Sequence, residues 1–510
     1  MRLITLFALL LSSLSASAQE PLKSELAPCG TPPGIAPVLR QYAERPQDFV
    51  AERSSDTLLV GIQVHLLAKD NGGARISPDR LLDAFCRLNS DFAAAGIRFY
   101  FKNNWNLIDS TGWYQHTTIQ QGIDMMLANN VPDVLNAYFA ANVANNCGYN
   151  LPYAGVAIAH GCAGPNDHTW AHEIGHALSL PHPFIGWEGK VYSMSVPTPD
   201  TLTYDYTHFH DSLETTVPAP LDTALVEYLD GSNCIIAADL ICDTKPDYLS
   251  YRWDCDAQGN SLVQQKDPSG ATFYSDGTLF MSYSNDVCSN RFSDEQIAIM
   301  RTTLQTEKAA WLGIGPPQGD ITEMPVLLSP VGGQLSPATG TVLEWEAVPN
   351  ATRYVLQVSR FTNFLVKELD VTTTGNSYTL GTLLNNINYY WRVRPFNDWY
   401  ACTELSPYAN FKTTIVSAVA EPDTDGWRCY PTLLAPGLPL TLETPASWLN
   451  RSGKCMVYDA AGTLVWESNL LISSTKTQLQ FNETSRAPGV YRLVYMDDNH
   501  IKTQSLVIGQ

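Results

Sequence analysis

Positive charge is scarce in this chain. Its 510 residues carry 31 Lys and Arg against 51 Asp and Glu, a net charge of −20. Such a field repels a phosphate backbone and argues against nucleic acid as a partner. Charged residues of both signs make up only 16%, hydrophobic ones 45%. That balance excludes a disordered chain and a coiled coil. After the first eighteen residues no apolar run approaches the ~20 needed to cross a membrane, so no transmembrane segment is expected. Internal repeats and low-complexity tracts are missing as well. Glycine (33) and proline (32) are plentiful, as in a loop-rich globular chain. The length allows roughly three to four domains.

Residues 1–18 read as a secretory signal. Arg2 precedes an apolar run broken only by Thr5, and Ala16-Ser17-Ala18 offers small residues at the cleavage point. Export places the cysteines in an oxidising space. There are eleven, so at least one thiol stays outside any internal pairing. The Pro-rich stretch 19–55 lacks periodicity and reads as an N-terminal extension or propeptide. Strands are expected at 58–66, 97–101, 134–139 and 155–159. A helix from Ser77 carries Leu81, Leu82, Phe85, Leu88 and Phe92 at helical spacing. A second spans 169–180, and a third starts at Ser293 with a capping-box pattern. Residues 56–312 are therefore expected to form an α+β domain, a mixed sheet with an active-site helix. Beyond a Gly/Pro linker, short alternating strands predict two all-β sandwich domains, at 325–415 and 430–510.

The sharpest signal is His172-Glu173-Ile174-Gly175-His176, with His182 six residues on. On a helix, His172 and His176 share one face and both reach one ion. Pro181 disfavours helix at Leu180, so the chain turns and can return His182 as third ligand. Three nitrogen ligands suit zinc with an open position, and Glu173 stands ready as general base. By chance, a chain this long holds an HExxH about 0.01 times. His208 with His210 is weighed as a second metal pair, and His160 and His168 as flanking histidines; all four read better as ordinary loop positions.

The run His172 to His182 resembles the metzincin zinc motif H-E-x-x-H-x-x-G-x-x-H, with Ser179 in place of the usual glycine. That glycine permits positive φ, which costs another residue on the order of 1 kcal/mol. Further pieces narrow the likeness. Asp239-Leu240-Ile241-Cys242-Asp243-Thr244-Lys245-Pro246 is similar to the D-x-V-x-D-T-P segment of pappalysins. Met281-Ser282-Tyr283, then Cys288, Phe292 to Gln296 and Met300-Arg301, are similar to their methionine-turn stretch. Residues 55–310 thus resemble the pappalysin/cytophagalysin peptidases. The resemblance implies Met281 as the turn methionine, Tyr283 near the metal as an oxyanion donor, and calcium at Asp239 and Asp243. Cys255 with Cys288 is the pairing expected, since it would tie the loop before the methionine turn.

Ala27-Pro28-Cys29-Gly30-Thr31-Pro32 resembles the cysteine switch of other metzincins, in which a propeptide thiolate takes the open zinc position; a disulfide from Cys29 to Cys86 or another cysteine is the alternative. Residues 325–415 resemble a fibronectin type III domain. Residues 430–510 resemble a type IX secretion sorting domain, through Tyr430-Pro431, 457–462, 488–491 and 502–508. Together these imply a zinc endopeptidase acting on proteins or peptides. It would be exported through the periplasm by the type IX machinery to the medium or outer cell surface. The rivals are an adhesion protein with an inert peptidase domain, and an enzyme whose only substrate is its own propeptide.

Overall fold

The computed structural model describes residues 23–49, 56–152, 154–205, 221–313, 318–414, 426–434, 439–460, 462–481, 488–497 and 500–508. The signal reading at 1–18 and the pair His208 and His210 lie outside them. The chain divides into two compact units. One comprises 1–334, 342–380 and 388–411; the other comprises 335–341, 381–387 and 412–510.

The first unit is built on six strands: β1 (Leu58–Ala68), β2 (Ile97–Phe101), β3 (Asn106–Asp109), β4 (Leu135–Ala140), β5 (Gly148–Leu151) and β6 (Gly155–Ala159). Their order is β2-β1-β4-β6-β5, with β3 also on β1. All pairings are parallel except β5 on β6, so β5 is an antiparallel edge. Besides a single turn at Thr111–Tyr114, five longer helices accompany the sheet: α1 (Pro37–Glu44), α2 (Pro78–Asp91), α3 (Ile119–Asn129), α4 (Thr169–Ala177) and α5 (Asp294–Gln305). Alternation in β1 explains the layering. Val60, Ile62, Val64 and Leu66 enter one core with Leu81, Phe85 and Leu88 of α2 and Ile174 of α4. Leu67 enters a second core on the opposite face with Met125 and Met126 of α3. A mixed sheet with helices is what the sequence predicts.

The helix expected over 169–180 stops at Ala177. Ser179 follows with φ 77°, the conformation that a metzincin glycine would supply. Thr303 Oγ1 of α5 donates to Ser179 Oγ at 3.1 Å, which helps hold the serine in that turn.

The N-terminal extension is more ordered than its proline content predicts. Residues 27–31 run beside β5, and α1 continues into the main core. Val38, Leu39, Tyr42 and Phe49 are buried with Ile299, Met300 and Leu304 of α5.

A two-sheet β-sandwich follows, in the segment expected to be fibronectin type III-like. Three strands are Leu327–Ser329, Val342–Trp345 and Ser377–Thr379. The second sheet has the order Gln334–Pro337, Ala409–Thr414, Asn388–Phe396, Arg353–Ser359, Leu369–Thr373. Trp345 and Trp391 fill its core. It is fastened to α2: Arg394 lies between Asp79 (2.8 Å) and Asp83 (2.7 Å), and Cys86 is bonded to Cys402. Residues 426–508 form a further β-sandwich of a three- and a five-stranded sheet around Trp427, Trp448, Leu493 and Tyr495. No described helix is long and apolar enough to cross a membrane.

Burying each apolar side chain of α1 is worth ~1.5–3 kcal/mol. A chain beginning at Ser55 is therefore expected to melt several degrees below one beginning at Pro37, measured by circular dichroism. Equal midpoints would show that α1 adds nothing to the core.

Candidate metal centre

α4 lies beneath the edge strand β5 and its neighbour β6. Its one-turn spacing sends His172 and His176 to the same side, and the turn at Ser179 brings His182 back to them. The Nε2 atom of His176 is 3.1 Å from that of His172 and 3.1 Å from that of His182. Cys29 Sγ joins them, and the four ligand atoms all lie within 4.8 Å of one another. Cys29 is free, so the disulfide alternative weighed for it is not found. The alternative partner Cys86 is bonded to Cys402.

Each ring is held by its far nitrogen. His172 Nδ1 donates to Phe280 O and His176 Nδ1 to Leu180 O, both at 2.7 Å. His182 Nδ1 faces Glu188 Oε1 at 3.5 Å, while Glu188 Oε2 accepts from Gly186 N at 2.7 Å. Burial holds His172 down near 4 and His182 well below its usual range, so both rings stay neutral. Neutral rings with Nδ1 as donor leave three Nε2 lone pairs converging on one point. Lone pairs at this distance repel unless a cation lies among them. Nitrogen and sulfur ligands at 2.0–2.3 Å in a tetrahedron sit ~3.3–3.6 Å apart, so the donor set and spacing fit zinc.

Glu173 is fully buried beside this point. Its Oε2 accepts from Thr31 Oγ1 at 2.9 Å and lies 3.4 Å from Cys29 Sγ. Its Oε1 is buried without a hydrogen-bond partner. Burial pushes the carboxyl up to about 8. Burial, then the charge of Glu173, pushes the Cys29 thiol well up. The Tyr283 hydroxyl donates to Cys29 O at 3.3 Å, and its ring packs edge-on against His182. Met281 lies directly under α4: a Cβ at Gly175 would fall 2.4 Å from its Sδ. Ser282 donates to buried Asp247 at 2.8 Å, which braces that turn.

The switch segment follows the rim strand in the parallel sense, Ala27 opposite Asn146. Gly30 N donates to Gly148 O at 2.8 Å, and Cys147 N to Ala27 O at 2.7 Å. Lys23 anchors it by ion pairs to Asp167 and Asp286.

Cys255 and Cys288 are bonded as expected. Cys147–Cys162 and Cys234–Cys242 are bonded too, and Cys29, Cys429 and Cys455 are free. The two residues expected to hold calcium lie in different settings. Asp239 is buried and accepts from Ile241 N and Thr244 Oγ1 within its own loop, whereas Asp243 turns outward to cap Glu295 N of α5. Among the described residues, the one grouping of three or more His, Cys, Asp or Glu able to share an ion is Cys29 with the three histidines. His168 pairs with Asp91 at 2.8 Å, and His160 packs against Tyr114; neither joins the centre. Thr31, Glu188, Asp167 and Asp286 were not singled out in the sequence. They act through contacts between distant segments, which no local spacing records; Thr31, two residues after Cys29, and Asp286, between Tyr283 and Cys288, lay within motifs.

No family model matches the chain, and no curated protein does. Solved structures it is similar to include the FN1–FN3 domains of chicken CNTN1, at 11% identity and TM-score 0.16. That match covers 37% of this chain and 66% of that one. A human KIAA0970 fibronectin type III domain matches at 15% identity and TM-score 0.15, over 18% of this chain and 72% of that one. The fibronectin(III)-like modules of Clostridium thermocellum CbhA match at 10% and 0.15, over 36% of this chain and 93% of that one.

Gly175→Ala forces a methyl against buried Met281 and should lower stability by ~1–3 kcal/mol. Gly112→Ala, with nothing within 4 Å, should leave the urea midpoint near the parent. Equal midpoints for both variants would refute this account of the turn methionine.

Proposed function

We propose that the chain is a secreted, zinc-dependent endopeptidase of metzincin type, pappalysin-like, produced as a latent precursor. The observation that carries this is the convergence of His172, His176, His182 and Cys29 beside a buried Glu173 with one unpartnered oxygen. Residues 430–510 are proposed as its type IX sorting domain.

Zinc bound here supplies Lewis acidity to the reacting carbonyl. Glu173 takes the proton of an attacking water at its carboxylate and passes it to the leaving amine. Tyr283, freed from Cys29 O, donates its hydroxyl hydrogen to the carbonyl oxygen as negative charge builds there. Burial of the site under the rim strand keeps bulk water from weakening these contacts. In the precursor, Cys29 fills the fourth ligand position and Thr31 holds the base oxygen of Glu173. Latency therefore has two contacts, one on the ligand set and one on the base.

Two variants test the mechanism. Glu173→Ala should retain one zinc by atomic absorption yet lose peptide hydrolysis by several orders of magnitude. His182→Ala should lose zinc affinity and activity together. Tight stoichiometric zinc in His182→Ala, or activity within tenfold of the parent in Glu173→Ala, would refute the reading.

Latency has its own check. Thiol titration of the denatured, unreduced precursor should find Cys29, Cys429 and Cys455, and only the first should vanish with the N-terminal segment. A mercurial, or Cys29→Ala, should activate the precursor; an unchanged lag would exclude the thiol as the latch.

A further inference from the structure

Arg252 is a half-buried arginine without an acid. Among the described residues no carboxylate lies within ion-pair distance of it. Its hydrogen-bond acceptor is a sulfur, Cys147 Sγ, 3.6 Å from Nη2. Other shielded arginines are better served. Arg394 has two aspartates, and Arg301 donates to the carbonyls of Ala95 and Gly96. A half-buried guanidinium whose protein acceptor is a sulfur keeps donors open to an incoming carboxylate, to whose fork they are matched.

Its position is fixed at two points. Trp253 N donates to Tyr283 O at 3.2 Å, and Asn285 N to Trp253 O at 2.9 Å, which sets Arg252 against the wall that carries Met281 and Tyr283. Its head reaches Cys147, whose amide holds Ala27 O of the switch segment. The charge of Arg252 is also felt at His172. Ala27, which accepts from Cys147 N, and the Pro28 that follows it are small and neutral, and neither offers the guanidinium a carboxylate. The acids on this side, Asp167 and Asp286, hold Lys23 instead.

Resting on the peptidase reading, we propose that Arg252 is a specificity-determining residue, selecting substrates with an Asp or Glu side chain near the scissile bond, in the place now taken by Ala27 and Pro28. A peptide that displaces the switch can accept the same hydrogen bond from Cys147 N. A carboxylate on it then meets the guanidinium in a partly desolvated setting.

The test uses the full chain carrying Cys29→Ala and Thr31→Ala, which releases both latency contacts. A digested protein mixture is offered, and the cleaved ends are mapped. Asp and Glu should be enriched at least about tenfold at one fixed position beside the cut, the discrimination of one charge-assisted pair. Adding Arg252→Gln should abolish the enrichment, and Arg252→Glu should replace it with Lys and Arg. Arg252→Lys, the variant least disturbing to folding, should keep a reduced acidic preference. No enrichment, or enrichment unchanged by Arg252→Gln, overturns the proposal. A second measurement separates it from the peptidase reading. Fluorescence anisotropy with a labelled peptide and its Glu→Gln twin is recorded on the same chain bearing Glu173→Ala. Tighter binding of the Glu peptide, lost in Arg252→Gln, upholds recognition even if no variant cleaves anything. Equal binding of the twins overturns it even if cleavage is robust.

Discussion

The candidate metal centre depends on how its three imidazoles are held from behind. A histidine ring with a free far nitrogen can take either tautomer and rotate; one whose Nδ1 hydrogen is engaged presents its Nε2 lone pair in one direction. Here the anchors come from three places. Phe280 O belongs to the methionine turn, Leu180 O to the turn after α4, and Glu188 to the loop beyond His182. The ligand geometry is therefore a property of loops about a hundred residues apart, gathered around one short helix. Gly175 lets Met281 close up beneath that helix, and Ser179 at φ 77° lets the chain reverse at its end.

Much of this was legible because it is local. The two-residue alternation of β1, the apolar spacing of α2 and the one-turn spacing of His172 and His176 are short-range patterns, and each appears where it was expected. Cys29 was legible through its neighbours Gly30 and Thr31. The parts that escaped are long-range. α1 hides among prolines, since Val38, Leu39 and Tyr42 make too short an apolar stripe to stand out. β5 is four residues long and Gly148 opens it, so no strand pattern marks it. The contacts of Asp239 within its own loop and of Asp243 with the start of α5 were likewise not legible from the motif that contains them.

The fibronectin type III-like sandwich looks in sequence like a separable module. Its attachment says otherwise. Trp105 stacks on Phe396, Tyr100 on Trp399, and Val355 and Phe396 share the core of the six-stranded sheet. Buried Arg394 needs both acids of α2, because a charge left alone in such a place is strongly destabilising. A spacer domain has no use for such a seam. Here the sandwich supports the outer side of α2, whose inner side packs on the layer that carries α4.

The bond between Cys86 and Cys402 closes a loop of 316 residues, whereas that between Cys147 and Cys162 closes one of 15. In a flexible chain the entropy of bringing ends together rises with the logarithm of their separation, a difference of ~2.7 kcal/mol between these two loops. Oxidation during synthesis is thus ordered. The rim bridge can form while the chain is still emerging. Cys86 must wait as a thiol until the sandwich has been made and has docked on α2. A nascent chain passing through an oxidising compartment therefore keeps an exposed thiol at Cys86 for most of its length, and its correct partner is chosen by folding and not by proximity in sequence.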